Sequence, residues 1–591
     1  MRATKLCLVC AALAALAVLW LPAAPLRAVD MGELYQTPEH CPRFAKPQFI
    51  SRPLTVAYPG MEYNIRPAIK GGTYPYTFSL SKAPQGMNID PAKGTVTWTP
   101  PDAEGKAFDV EIKVTDAAGR SATQAFSITV TRKLFFFVAP DGDDANPGTI
   151  DKPWKTVLRA ADPPEGFTYP PGAVVVFRGG EYKVHRPSEK NKLGGNVVPI
   201  SDRSPRYWLA YPGERPVIDL GWSGELQRAA HEEQKASGKL RGGGKEPSTQ
   251  GYGHRFALVR GSDYFYMDGF EIKNACYYMF VMWDGRNTIH IRRCNLHHLW
   301  ADWAENPSFI FTFAGERKGD FNAWGVRPKT THYTNFVVQE NYFHDRFYVR
   351  ERGSHGGGMV FYTVHNAVVE DNVFERIFRG QCINDKDNGF GNTYRNNVMR
   401  GGFAISGQWN CDEIEVCHNY VEGEMRIGHQ PGWLRNIWVH HNTIRGEVAL
   451  MAGGTKVPEK LDEQAGDFSR ANTADSAKAI REFPVERKLV HFYGNVLDAA
   501  GGEGRDANVV LRLPNNKNFA ERWRYVRWDE NLVDSEARIE LLWNRFVDFS
   551  VMTAAGFDAH GARAKIDVDS EGRLPAGSDY AKKYGRFARP L

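Results

Sequence analysis

From residue 256 onward, the hydrophobic and polar positions of the chain repeat in one short unit. Each unit has a β-rich run, an asparagine, two or three apolar residues, a polar loop and another β-rich run. The asparagine begins the segments Asn372-Val373-Phe374, Asn397-Val398-Met399, Asn419-Tyr420-Val421 and Asn442-Thr443-Ile444. Successive asparagines are therefore 25, 22 and 23 residues apart. This period predicts an all-β solenoid, a right-handed parallel β-helix with one coil per unit. A β-propeller blade needs about 40 residues, nearly twice this period.

The repeated asparagines have a structural explanation. Asparagine tolerates the left-handed backbone of a sharp turn, and its amide can bond the equivalent amide one coil away. We therefore expect Asn372, Asn397, Asn419 and Asn442 to be buried and stacked at the inter-strand spacing of about 4.7–4.9 Å. These residues are predicted to be structural and not catalytic.

Residues 48–132 have a different pattern, in which short period-two runs alternate with turn signals. This spacing predicts a β-sandwich. The segments Pro84-Gln85-Gly86-Met87 and Gly94-Thr95-Val96-Thr97-Trp98-Thr99-Pro100 resemble the motifs of bacterial Ig-like, cadherin-like modules of extracellular proteins. The resemblance implies a spacer or a weak binding module, and no residue of this segment indicates chemistry.

The first 28 residues have the pattern of a secretory signal peptide. Arg2 and Lys5 precede an apolar stretch from Leu6 to Leu21, and Leu26-Arg27-Ala28 offers a small-residue cleavage site. The stretch has 16 residues, fewer than the roughly 20 that span a bilayer, so an uncleaved anchor is the weaker alternative. We expect a secreted, periplasmic or cell-surface protein, with no membrane partner beyond the cleaved signal.

The remaining domain boundaries follow from the same changes of pattern. Residues 29–47 are predicted to be a linker, residues 133–540 the β-helix, and residues 541–591 a C-terminal cap or tail. Within the β-helix, residues 133–220 are predicted to form an N-terminal cap, and insertions occupy residues 222–255, 300–330 and 452–486. The chain is expected to act as a monomer.

The net charge and the cysteine content limit which functions are expected for the chain. Removing the signal removes Arg2, Lys5 and Arg27, so the formal net charge falls from +5 to +2. Such a nearly neutral chain gives no reason to expect a nucleic-acid partner. Most of the six remaining cysteines lie in or beside apolar strand runs, which is typical of inert buried thiols. The sequence does not decide whether the nearest pair, Cys411 and Cys417, forms a disulfide.

The third strand of each coil is expected to present alternate side chains to a long groove. On this sheet we place the runs Gly358 to Tyr362, Cys382 to Lys386, Phe403 to Gly407 and Met425 to His429. In this register Ile383, Ile405 and Ile427 stack inside the solenoid. The outward set is then Asn384, Lys386, Ser406 and Arg426.

Lys386 is the leading candidate for chemistry. A lysine beside other cations can lose its proton and act as a base, abstracting the C5 proton of a uronic acid. Its neighbours Asp385 and Asp387 are candidate substrate-binding groups, and they also allow the alternative of an exposed ion pair at a turn. The long side chain of Arg426, two coils away, is expected to close the gap to Lys386.

The segments around this strand supply further candidates. Elimination needs a cation against the substrate carboxylate, for which Arg350 and Arg352 are candidates, with His355 or Tyr362 near the leaving oxygen. His355 and His429 are the alternative bases. The 300–330 insertion contains Trp300, Trp303 and Trp324. Their aromatic faces could bind sugar rings, or they could pack the insertion against the β-helix.

The stretch Lys386-Asp387-Asn388-Gly389-Phe390-Gly391-Asn392-Thr393-Tyr394-Arg395-Asn396-Asn397 resembles the catalytic segment of the chondroitinase B and alginate lyase family. The resemblance implies a lysine base at Lys386, an essential arginine one coil further on, and calcium-binding carboxylates just before the lysine. This chain has Ser406 or Gln408 in place of the arginine, and Gln381 and Asn384 in the region of the carboxylates. The sequence therefore does not decide whether calcium is a cofactor, and it favours a lyase.

Two other function classes remain at this point. A glycoside hydrolase needs two carboxylates about 5–9.5 Å apart, and Asp385 with Asp387, or Asp302 with Asp345, are the candidates. A non-catalytic adhesion or carbohydrate-binding protein could use the same scaffold. No metal site is predicted, because the adjacent pairs His297-His298 and His440-His441 should point to opposite faces of their strands. The favoured interpretation is a polysaccharide lyase that cleaves an acidic glycan by β-elimination.

Overall fold

The computed structural model describes residues 42–184, 195–238, 253–258, 264–282, 288–301, 306–312, 333–348, 356–378, 380–407, 410–428, 433–451, 488–499, 508–513, 523–541, 545–554 and 557–588. The predicted signal peptide lies outside the described residues. Within them, no helix is long and apolar enough to cross a membrane.

The N-terminal module is a β-sandwich, as its period-two runs predict. A short 3-10 helix, Pro42–Phe44, precedes it. Its strands are Gln48–Phe49, Val56–Ala57, Tyr63–Ile65, Ile69–Lys70, Tyr76–Lys82, Asn88–Ile89, Val96–Trp98, Ala107–Asp116 and Ser121–Val130. The inner side chains of these strands, among them Phe78, Trp98 and Ile112, form one buried cluster.

Most of the remaining described residues form three long sheets of 12 strands each, which is the predicted parallel β-helix. Neighbouring strands in these sheets are parallel, except that Arg545–Asp548, at the end of the third sheet, is antiparallel to Arg538–Leu541. The first sheet contains Phe135–Val138, Val174–Phe177, Tyr207–Ala210, Phe265–Asp268, Ile289–Arg292, Val337–Gln339, Val368–Glu370, Thr393–Arg395, Asn410–Cys417, Trp433–His440, Val490–Tyr493 and Val526–Asp529. The second contains Gly180–Lys183, Pro216–Asp219, Glu271–Cys276, Asn295–Ala301, Tyr342–Tyr348, Val373–Ile377, Val398–Arg400, Tyr420–Glu422, Thr443–Arg445, Val496–Asp498, Leu532–Asp534 and Ala562–Ala564. The third contains Val197–Ile200, Arg255–Leu258, Tyr278–Met282, Ser308–Thr312, Gly357–Tyr362, Gln381–Asp387, Gly402–Ile405, Met425–Ile427, Val448–Leu450, Val509–Arg512, Arg538–Leu541 and Arg545–Asp548.

Smaller elements close the solenoid and decorate it. The helix Val157–Ala161 buries Val157 and two alanines against the first coils. The helix Gly224–Ser237 lies in the predicted 222–255 insertion, between the capping residues Ser223 and Gly238. The remaining elements are the helix Ser550–Ala554 and the paired strands Tyr333–Thr334 and Val364–His365.

The asparagine ladder is confirmed. Asn372, Asn397, Asn419 and Asn442 are fully buried, and each side-chain Nδ2 donates to the Oδ1 of the next ladder residue at 3.0 Å. The same Nδ2 groups donate to backbone carbonyls of their own coil and of the preceding one, for example from Asn419 to Cys417 at 3.0 Å and to Tyr394 at 2.9 Å. The ladder continues through Asn495 and Asn531 and ends on the carboxyl of Asp558. Asparagine is therefore required because each side chain both donates to and accepts from its neighbours.

The backbone of this turn differs from the prediction in one respect. The left-handed residue is the one before each ladder asparagine, for example Asp371 (φ 57°), His418 (φ 57°) and His441 (φ 52°). The ladder asparagines themselves do not have positive φ. Before Asn397 it is Asn396 (φ 54°). Asparagine, aspartate and histidine are the non-glycine residues that most often adopt this conformation, so the preference acts one position earlier than predicted.

The Ig-like module lies along the outer face of the first sheet. Phe135, Phe137, Val174 and Val176 of the first two coils join the hydrophobic cluster of the module. Further along the solenoid, the ring of Tyr74 lies 4.9 Å from the ring of His418. The module therefore covers many successive coils, which differs from the spacer that its sequence implied.

Buried charges strengthen this contact. Arg395 donates to Glu370 at 2.6 Å, and to the hydroxyl of Tyr76 in the module at 2.7 Å. From the module, Arg66 pairs with Asp371 and lies 3.6 Å from Glu370. Because each of these charges has partners of opposite sign, the interface tolerates their burial.

The C-terminal segment runs back along the outside of the second sheet. Ile566, Val568 and Tyr584 pack against Val496 and Leu532 of the solenoid. Near its end, the carbonyl of Arg586 lies 2.9 Å from Nδ1 of His418. The tail, the Ig-like module and the solenoid thus meet at one turn.

The described cysteines carry no disulfide. The five cysteines are buried thiols: Cys276, Cys294, Cys382, Cys411 and Cys417. Cys411 and Cys417 lie near opposite ends of one strand, Asn410–Cys417, with their residues about 20 Å apart along the strand. The disulfide between them that the sequence left open is therefore excluded by distance.

Candidate active site

The outer face of the third sheet changes character along the solenoid. One outward column is apolar through Ala257, Val281, Phe311 and Val360, in register from coil to coil. The next residue of that column is Asn384. The apolar part packs with Trp222, Tyr278 and other aromatic side chains as a separate buried cluster. Polar outward side chains therefore begin at the coil that carries Lys386.

Three side chains from different segments form a hydrogen-bonded chain at this position. Nζ of Lys386 donates to Oδ1 of Asn306 at 3.0 Å, and Nδ2 of Asn306 donates to the hydroxyl oxygen of Tyr362 at 3.0 Å. Nζ of Lys386 also lies 5.2 Å from the centre of the Tyr362 ring. Lys386 is partly exposed, whereas Tyr362 is only 3% exposed. The amine is thus held in one place at the surface by buried groups.

A β-bulge positions Lys386. The strands Gly357–Tyr362 and Gln381–Asp387 pair Phe361 with Asp385 and Tyr362 with Asp387, which leaves Lys386 as the additional residue. Bulges often redirect a side chain beside a functional site. Here the bulge occurs where the outer face becomes polar.

Asp385 belongs to the solenoid interior. It is fully buried, and its Oδ2 accepts hydrogen bonds from Asn392 and Tyr394, both at 2.7 Å. Burial raises the pKa of Asp385 to about 6. Asp387 is also fully buried. Neither carboxylate is accessible to a glycan, which disfavours both the substrate-binding role and the hydrolase pair predicted for them.

The interior stacking also differs from the prediction. Ile405 and Ile427 do stack, but the residue in register with them one coil earlier is Asp385. Ile383 is in register with Phe403, in the neighbouring column. A register shift between Gln381 and Ile383 accounts for the difference, because it displaces the pairing that simple alternation predicts.

Arg426 faces outward as predicted, but in the column of Asn384 and Ala404. Two coils and two residues along the strand separate its Cα from that of Lys386, about 12 Å. Its guanidinium pairs with Glu424, with Nε donating to Oε1 at 2.8 Å. Between them, the hydroxyl of Ser406 donates to Asn384 at 2.6 Å. Arg426 and Lys386 therefore share a face without being in contact through the described residues.

Trp300 packs within the protein. Its ring lies 4.6 Å from that of Phe347, and it contacts Gly224 at the start of the helix Gly224–Ser237. This position fits the packing alternative that the sequence left open. The remaining candidates, which lie outside the described residues, are Arg350, Arg352, His355, His429, Trp303 and Trp324.

Sequence reasoning missed Asn306. This residue lies 80 positions before Lys386, in the aromatic insertion, and no motif distinguishes it. Its left-handed backbone (φ 54°) turns the chain just before the strand Ser308–Thr312. Only the stacking of coils brings it to Lys386, so no local signal could have identified it.

The adjacent histidine pairs also differ from the prediction. Nδ1 of His297 lies 2.5 Å from Nδ1 of His298, and Nδ1 of His440 lies 2.9 Å from Nδ1 of His441. The second histidine of each pair has a left-handed backbone (φ 57° and 52°). Alternation to opposite faces holds only for extended residues, so the two rings of each pair lie together, and the prediction that they point apart was wrong.

Comparison with known proteins identifies the N-terminal module. Residues 46–131 match the family model described as "Putative Ig domain" (He_PIG). This segment is an Ig-like domain. The match covers less than half of the chain, and no curated protein matches the sequence at a significant level.

The similar solved structures are distant. One titled "The complex structure of XylC with xylose" is 14% identical with a TM-score of 0.29, over 75% of this chain and 88% of that chain. One titled "Rhamnogalacturonan lyase" is 14% identical with a TM-score of 0.23, over 54% and 74%. A "putative alpha-galactosidase" from Bacteroides fragilis is 11% identical with a TM-score of 0.16, over 36% and 45%. The chain thus spans less than half the length of that protein. TM-scores this low assign no function.

Proposed function

We propose that the chain is an exported polysaccharide lyase that cleaves an acidic glycan by β-elimination, with Lys386 as the base. The observation that carries the proposal is the Lys386–Asn306–Tyr362 hydrogen-bonded chain. A solvated lysine in a surface ion pair would be mobile. The amine of Lys386 is instead held by the buried amide of Asn306, where the outer face of the third sheet becomes polar.

The proposed reaction uses one proton acceptor. The unprotonated amine of Lys386 takes the proton from C5 of a uronate residue, and the electron pair moves into a C4–C5 double bond as the C4–O4 bond breaks. The ammonium that forms can return its proton to the leaving oxygen. No water is consumed, and the products are an unsaturated uronate end and a new chain end.

Asn306 and Tyr362 are assigned as positioning residues. Tyr362 is almost inaccessible, and its hydroxyl oxygen is occupied by the amide of Asn306. Their contribution is to fix the amine against the C5 proton, because misplacement of a reacting group by about 1 Å can cost 100-fold in rate. Arg426, on the same face, is one cation that a carboxylate further along a bound glycan could meet.

Assays on a panel of polysaccharides test the proposal. The purified protein is incubated with uronate-containing, sulfated and neutral polysaccharides, and ultraviolet absorbance of unsaturated ends is followed together with new reducing ends. We expect both signals to rise on a uronate-containing substrate. New reducing ends without absorbance would indicate a hydrolase and contradict the proposal. Tight binding with neither signal would indicate a non-catalytic carbohydrate-binding protein.

A further inference from the structure

A second cluster of reactive side chains lies far from Lys386, under the Ig-like domain. Cys417, His418 and His440 are buried, and each offers one ligand atom within 4.8 Å of the others. Cys417 and His440 are in register on neighbouring strands of the first sheet, and His418 follows Cys417 in the turn. Sulfur and imidazole nitrogen are the ligands that structural zinc sites use.

The second nitrogen of each histidine has a hydrogen-bond partner. Nδ1 of His418 lies 2.9 Å from the carbonyl oxygen of Arg586, to which it must donate. Nε2 of His440 lies 3.1 Å from a carboxylate oxygen of Glu415. Metal-binding histidines are typically oriented in this way, by a carbonyl or a carboxylate on the nitrogen that faces away from the metal. Nε2 of His418 and Nδ1 of His440 are then the nitrogens that carry lone pairs.

His441 lies beside this group. Its Nδ1 lies 2.9 Å from Nδ1 of His440, and because that nitrogen carries the lone pair, His441 is the donor. Zinc bound to Nδ1 of His440 would replace this hydrogen bond. Three protein ligands leave the fourth position of a tetrahedral zinc ion to a water molecule.

We propose that Cys417, His418 and His440 bind one Zn²⁺ ion. Such an ion would join three parts of the molecule. The ring of Tyr74 from the Ig-like domain lies 4.9 Å from His418, and the carbonyl of Arg586 from the C-terminal segment orients the same ring. The ion would therefore fix the Ig-like domain and the tail on the solenoid, at a distance from the proposed catalytic groove.

Metal binding by the full chain tests the proposal. The purified protein is stripped with a chelator and dialysed against ZnCl₂, and bound zinc is measured by mass spectrometry. We expect one ion per chain and a higher midpoint of thermal unfolding with zinc than after chelation. The stripped protein is also loaded with Co²⁺, which should give a thiolate-to-cobalt charge-transfer band. Absence of stoichiometric zinc, or cobalt bound without that band, would overturn the proposal.

Matched variants locate the site. Cys417→Ser and His440→Gln should each weaken zinc binding by more than about 100-fold, and Glu415→Gln by about 10- to 100-fold. The controls are Cys382→Ser, another buried cysteine, and His491→Gln, another buried histidine of the first sheet. Both controls should bind zinc as the unmodified chain does. Unchanged affinity in folded Cys417→Ser would contradict the assignment, and the cobalt band provides a test that needs no variant.

Discussion

The outer faces of the first and third sheets carry charged side chains in different settings. Arg395, on the first sheet, is 2% exposed and bonds Glu370, Tyr76 and a backbone carbonyl under the Ig-like domain. Lys386, on the third sheet, is partly exposed and is held by the amide of Asn306. Both are cations on neighbouring coils of one solenoid, yet the first is enclosed by partners and the second reaches solvent.

This difference distinguishes charged residues that stabilise the fold from charged residues that could take part in a reaction. A buried arginine with several partners cannot approach a substrate, and removing it leaves an uncompensated carboxylate. A lysine at the surface, positioned by a neutral amide, can meet a ligand at little cost in stability. The accessibility of a charge, together with the groups that hold it, is therefore a better guide to function here than its residue type.

The largest effect is expected from Arg395→Ala. The substitution leaves Glu370 buried beside an empty space and removes the hydrogen bond to Tyr76, so we expect the free energy of unfolding to fall by about 3–5 kcal/mol. Urea-induced unfolding measures it. Arg400→Ala on the second sheet, where the arginine is 31% exposed and pairs with Glu375 and Glu422, is the control. It should lose less than about 1 kcal/mol. An equal loss of unfolding free energy in the two variants would contradict the distinction between the buried arginine and the partly exposed one.

An intermediate effect is expected beneath the third sheet, from Asp385→Asn. The pKa of Asp385 is raised to about 6 by burial, so the protonated carboxyl is favoured in the folded chain. The stability contributed by protonated Asp385 is fully present below about pH 4. As the pH rises from about 4 to about 6, the free energy of unfolding falls by about 3 kcal/mol, because the unfolded chain loses this proton first. Above pH 6 the variant should be more stable than the unmodified chain by up to that amount. Parallel curves of stability against pH for the two proteins would show that Asp385 does not titrate in this way.

The smallest effect on stability is expected from Arg426→Ala. Its partner Glu424 lies two residues away on the outer face, and both side chains are about one-third exposed. The free energy of unfolding should change by less than about 1 kcal/mol. Under the proposed function, KM for a long acidic glycan should rise while kcat stays nearly unchanged. A large loss of stability, comparable to that of Arg395→Ala, would place Arg426 with the structural charges.

The sequence predicts the fold well because one coil is a local unit. Asn372, Asn397, Asn419 and Asn442 recur at nearly constant spacing, and each satisfies the same turn and the same neighbour. The position of the left-handed residue was not predicted, because it is the residue before each ladder asparagine, namely Asp371, Asn396, His418 and His441. The side chain of the ladder asparagine itself is used to bond its neighbours in the stack.

The candidate site could be predicted only in part. Lys386 stands out because a polar run interrupts an apolar strand. Asn306 is joined to it only by the stacking of coils and by a bulge, which the pattern of residues does not encode. The same holds for the Ig-like domain, whose contacts with Glu370 and Asp371 depend on side chains spread over some 300 residues of sequence.

The most direct test of the account is the turnover of Lys386→Ala on the glycan that the unmodified protein cleaves. If Lys386 is the base, formation of unsaturated ends should fall by at least about 100-fold, because general-base catalysis contributes about 10²–10⁴-fold. Glycan binding and the urea midpoint should stay close to those of the unmodified protein. Lys273→Ala, a partly exposed lysine of the second sheet, is the matched control and should retain full turnover. Near-normal formation of unsaturated ends by folded Lys386→Ala would contradict the account.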